Sequence, residues 1–143
     1  MKKKLSKKSL YIDSNIFIYP AIYDPNVIEE AARAKAKLLE IASGTIEGYT
    51  SALTWDEVTW VVRRLFGSKQ ASAQGASFLK FPNLTLLKAD AEVLFQAQSI
   101  IEEFEVKPRD AIHAASAMLN RIRQILSYDK DFDAIPTLSR VTP

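Results

Sequence analysis

Leu10-Tyr11-Ile12-Asp13-Ser14-Asn15-Ile16-Phe17-Ile18-Tyr19 sets an aspartate and two further polar residues inside an otherwise apolar run. Neither a buried strand nor a buried helix gains from a carboxylate at its centre, so the polar triplet reads as a junction. Residues 9–12 form a short buried strand before it. Ser14 to Tyr19 open a helix after it, which Pro20 is expected to end. Asp13 then stands directly beyond the carboxyl end of a strand, which is where open parallel sheets gather their ligands.

Outward from this junction the alternation continues. A helix is expected over 27–42 and stopped by Gly44, a strand over 45–50, and a helix over 53–66 closed by Gly67. In the last of these Val58, Val61, Val62, Leu65 and Phe66 form the inward stripe, Trp55 fits the same stripe, and Trp60 falls off it beside Arg64. A weaker helix over 68–81, a strand over 84–87 and helices over 89–104 and 108–121 follow. Strands at 125–127 and 138–141 complete the chain. Short apolar strands alternating with amphipathic helices give an α/β domain around a mostly parallel central sheet of four or five strands flanked by helices.

The 143 residues suit one domain, over 9–143, behind a basic N-terminal arm at 1–8 that carries Lys2, Lys3, Lys4, Lys7 and Lys8. The segment after the lysines is no signal-peptide core, because Asp13 and Asn15 interrupt it, and no apolar run is long enough for a membrane span. A cytoplasmic location is expected. Absence of cysteine excludes disulfides and thiolate zinc sites. The glycines at 44, 48, 67 and 75 form no phosphate-binding loop. Aspartyl-phosphate chemistry fits poorly, since Asn15 stands where a second aspartate would be needed.

Four acids fall where this topology places a crevice. Asp13 and Asp129 follow strands; Glu57 and Asp110 lie in the first turns of helices; Asp131 is close by in sequence. Each alone has a structural reading. Asp13 suits an N-cap, Thr54 to Glu57 matches a capping box, Asp110 follows Pro108 at a helix start, and Asp129 suits a turn. Together they repel unless a cation offsets them, and hard oxygen donors suit Mg²⁺ or Mn²⁺. Such a metal activates water and neutralises a phosphoryl oxygen.

The segments 11–15, Thr50-Ser51 with Glu57, Pro108 to Ala115, and Ser127 to Phe132 resemble, in order, the four signatures of PIN domains, most closely the small VapC-type toxins of toxin–antitoxin pairs. The resemblance implies an endoribonuclease dependent on Mg²⁺ or Mn²⁺ that leaves a 5′-phosphate and a 3′-hydroxyl. It also implies an RNA substrate, a cognate antitoxin and a homodimer. Carried over, Asp13 and Asp110 are the principal metal ligands, and Glu57 and Asp129 complete the catalytic acids, with Asp129 preferred to Asp131 as the third ligand and Asp131 read as a cap. Ser14 and Asn15 hold substrate phosphate, orient Asp13 or simply cap the helix, and Ser127 contacts substrate or a carboxylate of the cluster or merely finishes a strand. Arg63, Arg64, Lys69, Arg109, Arg121 and Arg123 suit RNA phosphates or a solvated surface. His113 reads as a packed, hydrogen-bonded residue, and Trp60 as a contact with a dimer mate or the antitoxin. The alternative is a catalytically silent PIN-like module that binds RNA or protein.

Overall fold

The computed structural model describes residues 7–143. Strand β1 (Ser9–Ile12) leads into helix α1 (Ser14–Ile22), then α2 (Glu29–Ala42) and β2 (Glu47–Ser51). Helices α3 (Leu53–Phe66) and α4 (Ser68–Leu79) follow, then β3 (Leu84–Leu87), α5 (Ala91–Phe104) and α6 (Pro108–Leu119). Strand β4 (Gln124–Leu126), a 3-10 turn (Lys130–Ala134) and β5 (Ser139–Val141) end the chain. All five strands pair in parallel, in the order β3-β2-β1-β4-β5.

Alternation along β1 divides the core. Tyr11 and Ile125 face one layer with α5 and α6; Leu10, Ile12 and Leu126 face the other with α1 to α4. The first layer is built on Ala111, Ala114, Ala115 and Ala117, all buried, whose small side chains bring the α6 backbone close to the sheet. The strand order builds outward from β1 through β2 to β3 on one side and continues with β4 and β5 on the other, so the crevice at the carboxyl ends opens between β1 and β4. Asp13 and Ser127 stand at those two ends. Asp13 N–H donates to the Leu126 carbonyl at 3.0 Å, which extends the β1–β4 ladder to the acid itself.

Several expectations change. Pro20 does not end α1, which runs on to Ile22: only the last turn lies beyond the proline, and Tyr23 N–H still reaches the Tyr19 carbonyl at 2.9 Å. The α3 stripe is shorter than its sequence pattern. Val58 and Val62 are buried, but Leu65 and Phe66, in the last turn, are more than half exposed. Trp55 is also exposed rather than core; it lies against α4, where a Cβ on Gly75 would stand 3.0 Å from its indole nitrogen. Gly67 (φ +93°) supplies the left-handed conformation that separates α3 from α4. Of the arm expected over 1–8, only Lys7 and Lys8 fall among the described residues, and the Lys8 carbonyl accepts from Glu47 N–H beside β1.

Candidate active site

Asp13 is buried, and its carboxylate is well supplied with donors. Oδ1 accepts from Ser14 N–H at 2.8 Å, which makes Asp13 the N-cap of α1, and Oδ2 accepts from the Ser127 hydroxyl at 2.6 Å. Ser127 in turn accepts from Asn15 Nδ2 at 3.3 Å and from Asp129 N–H at 2.9 Å. Ser127 is therefore a buried hub that ties the end of β4 to the start of α1. Asn15 Oδ1 is buried without a hydrogen-bond partner among the described residues.

Glu57 reaches the same place from α3. The capping box expected at Thr54 does not form: Ala52 precedes the helix as its cap residue, and the Thr54 hydroxyl bonds to Thr50 Oγ1 at 2.6 Å inside the core. Glu57 is thereby left to the site. Its Oε2 accepts from the Ser14 hydroxyl at 3.3 Å, and its Oε1 lies 2.5 Å from His113 Nε2. The other imidazole nitrogen is 2.6 Å from the Tyr11 hydroxyl, which accepts Ser51 N–H at 3.0 Å. His113 is also 3.7 Å from Asp13. The packed histidine expected from the sequence is thus hydrogen-bonded to one candidate acid and lies close to a second.

The remaining acids form a different group. One carboxylate oxygen each of Asp110, Asp129 and Asp131 lies within 4.8 Å of the others. Asp110 projects from the first turn of α6, and Asp129 and Asp131 from the loop after β4. Asp110 Oδ2 is buried and has no hydrogen-bond partner among the described residues. Asp129, not Asp131, caps the 3-10 turn, accepting Asp131 N–H at 2.9 Å. Asp131 instead sits 3.6 Å from Lys107 at the rim. A cleft of about 530 Å³ is lined by Glu57, Asp110 and Asp129 together with Lys107, Pro108 and Arg109.

Burial and the neighbouring charges of Asp129 and Asp13 push the Asp110 carboxyl up to about 6. Burial likewise raises Asp13, against the opposing effects of His113 and the Ser127 hydroxyl. Burial disfavours the His113 imidazolium, yet the bond to Glu57 and the charge of Asp13 outweigh it and hold the imidazole above its ordinary range. Three hard carboxylates around an unpartnered buried oxygen suit a small divalent cation, and Asp110, Asp129 and Asp131 are positioned to hold it, with Asp13 behind them.

Sequence reasoning passed over Tyr11 and set Asp131 aside. Tyr11 shares the face of β1 with Asp13, two residues on, and His113 lies one turn beyond Asp110, so both spacings carried the signal. The sequence profile of the PIN domain matches residues 10–138. The chain belongs to the PIN domain family. No curated protein matches it in sequence.

Among solved structures, this PIN domain is similar to VapC20 of Mycobacterium tuberculosis, described as a toxin that cleaves the sarcin–ricin loop (19% identity, 94% of this chain and 99% of that one, TM-score 0.75). It is similar to VapBC2 of Rickettsia felis bound to promoter DNA (16%, 94% and 98%, 0.71). FitAcB of Neisseria gonorrhoeae shares the fold as well (21%, 92% and 95%, 0.66).

Proposed function

We propose that this PIN domain is a divalent-metal-dependent endoribonuclease and the toxin half of a type II toxin–antitoxin pair. The observation that carries the reading is Asp110: a part-buried carboxylate with one oxygen lacking a donor among the described residues, set against Asp129 and Asp131 at an open cleft. A fold with no cation to hold gains nothing from such repulsion. The likeness to toxin–antitoxin complexes supports the biological setting.

In this reading Asp13, Asp110 and Asp129 hold Mg²⁺ or Mn²⁺, with Asp131 able to join them. When bound, the metal supplies a water acidified towards neutral pH and a counter-charge for a phosphoryl oxygen. Lys107 and Arg109 at the rim of the cleft hold the RNA backbone through its phosphates. Glu57 faces the same cleft with its carboxylate held on both oxygens, so it is placed to accept the proton lost by the attacking water. Ser14, Asn15 and Ser127 orient Asp13 and the backbone at Asp129 from beneath. In-line attack at phosphorus would break its bond to the 3′ oxygen, which takes a proton from solvent, leaving a 5′-phosphate and a 3′-hydroxyl.

A cytoplasmic setting belongs to this proposal; among the described residues no helix is long and apolar enough to cross a membrane. So do a homodimer and an antitoxin partner. Trp60, half exposed with the Arg64 guanidinium 5.4 Å from its ring centre, is a candidate contact for either. Incubation of the purified chain with structured and unstructured RNA, in Mn²⁺ and in chelator, tests the activity. Cleavage that needs the metal and yields 5′-phosphate ends is expected. Equal cleavage in chelator overturns it.

A further inference from the structure

We propose that Tyr11 and His113 are positioning residues for Glu57, forming a hydrogen-bonded tie from the backbone of the sheet to that carboxylate; the inference rests on the nuclease reading above. Glu57 and His113 come from opposite layers. Glu57 belongs to α3, packed with Val58 in the layer of α1 to α4, and His113 to α6 in the layer of α5. They meet over the carboxyl edge of the sheet, where His113 is completely buried. The close approach of α6, permitted by its alanines, brings the imidazole between Tyr11 and Glu57.

The chain of bonds starts from fixed backbone. Ser51 N–H, at the end of β2, donates to the Tyr11 hydroxyl; Tyr11 holds His113 Nδ1; Nε2–H donates to Glu57 Oε1. Glu57 Oε2 meets the Ser14 hydroxyl. A glutamate on a helix surface samples many rotamers, and fixing it there costs entropy that the tie supplies in advance. For packing alone an apolar side chain at 113 would avoid the desolvation that a buried imidazole and carboxylate suffer. A buried polar chain ending on a cleft-lining carboxylate is explained by what that carboxylate must do.

Two substitutions of similar size separate positioning from packing. Gln at 113 carries an amide N–H to about the place of Nε2; Asn carries one only as far as Nδ1. We expect His113→Gln to keep kcat within about threefold of the parent, and His113→Asn to lose about 10²-fold, with KM for RNA nearly unchanged in both. Tyr11→Phe, which removes one oxygen, should cost about tenfold in kcat. In a Glu57→Gln background neither His113→Asn nor Tyr11→Phe should slow the reaction further.

Equal rates for the two His113 variants, or the same slowing in the Glu57→Gln background, overturn the proposal. The chain has a single histidine, so ¹⁵N-resolved NMR of the unaltered, metal-free protein reads the tie without any activity assay. A proton resident on Nε2 and shifted strongly downfield is expected; a bare Nε2 overturns the proposal. A parent that cleaves no RNA yet shows this proton overturns the nuclease reading and leaves the tie in place.

Discussion

The acidic cleft has two halves that handle charge in opposite ways. In the inner half, Asp13 and Glu57 meet Ser14, Ser127 and His113, and every carboxylate oxygen has a donor or a hydroxyl within 3.5 Å. In the outer half, one oxygen each of Asp110, Asp129 and Asp131 crowd within 4.8 Å, and Asp110 Oδ2 has no donor among the described residues. Lys107, 3.6 Å from Asp131 and well exposed, is a weak counter-ion for that group. The inner carboxylates thus have donors from the protein itself, whereas in the nuclease reading the bare oxygen of the outer half faces the cation that Asp13 helps to hold. Both halves are carboxylates; only the supply of donors separates them.

The largest expected effects test that division directly. Asp110→Asn should abolish Mn²⁺ binding by calorimetry and cut RNA cleavage by about 10³-fold, near 4 kcal/mol of barrier. It should leave the metal-free fold as stable as the parent or more so, because it removes repulsion. On sequence grounds Asp13→Asn would behave alike. The structure separates them: an amide at 13 must turn its nitrogen towards either Ser14 N–H or the Ser127 hydroxyl, and loses a charged hydrogen bond worth about 1.5–3 kcal/mol. Melting temperatures in chelator should therefore shift in opposite directions for the two variants. Shifts of the same sign would erase the distinction between the halves.

A smaller contrast lies within the outer half. Asp129 has two duties, since the same side chain belongs to the cluster and caps the 3-10 turn. Asp129→Ala should lose most of the cleavage rate and about 1 kcal/mol of stability. Asp131→Ala gives up a half-exposed side chain and a surface ion pair, so stability should change by less than about 0.5 kcal/mol. Its cost should appear as weaker Mn²⁺ affinity with activity recovered at saturating metal. Side-by-side titrations with Mn²⁺ distinguish the two, and a rate for Asp131→Ala that stays low at saturation would make Asp131 an obligatory ligand.

Period and punctuation made the fold legible. The apolar strands, the glycines at 44 and 67 and the proline at 108 placed nearly every element, and the expected parallel topology set Asp13 at the carboxyl end of β1. Errors arose where local pattern yields to tertiary context. Pro20 is tolerated because too little helix remains beyond it, and Trp55, Leu65 and Phe66 look like core only until the reach of α4 and the sheet is known. The acids could be found by their places at strand ends and helix starts. Their division into a satisfied and an unsatisfied half could not, because it depends on Ser127, Ser14 and His113 arriving from distant segments. The capping reading of Thr54 to Glu57 failed for the same reason: Thr54 has a better partner in Thr50.

The smallest effect is a pH dependence of the metal-free fold. Asp110 titrates at about 6 in the folded chain, against 3.8 for an ordinary aspartate. Below about pH 4 both states are protonated and the residue contributes nothing. From there to 6 the folded chain keeps a proton that the unfolded chain has lost, so stability falls as pH rises, and above 6 the penalty is constant. Asp13 and His113, both raised, push in the same direction. Asp133, lowered by its bond to Arg140, loses its contribution only below the ordinary aspartate range and stays outside this window. Screening at the partly exposed Asp110 should reduce its share to about 1 kcal/mol, roughly 4 °C in melting temperature between pH 4 and pH 7.5. Mn²⁺ binds the ionised cluster, so its stabilisation should grow over the same interval and offset the loss. Asp110→Asn in chelator should flatten the slope by about that amount. A variant that follows the parent's pH profile unchanged would show that Asp110 is solvated like any surface carboxylate, and the bare half of the cleft would no longer need a cation.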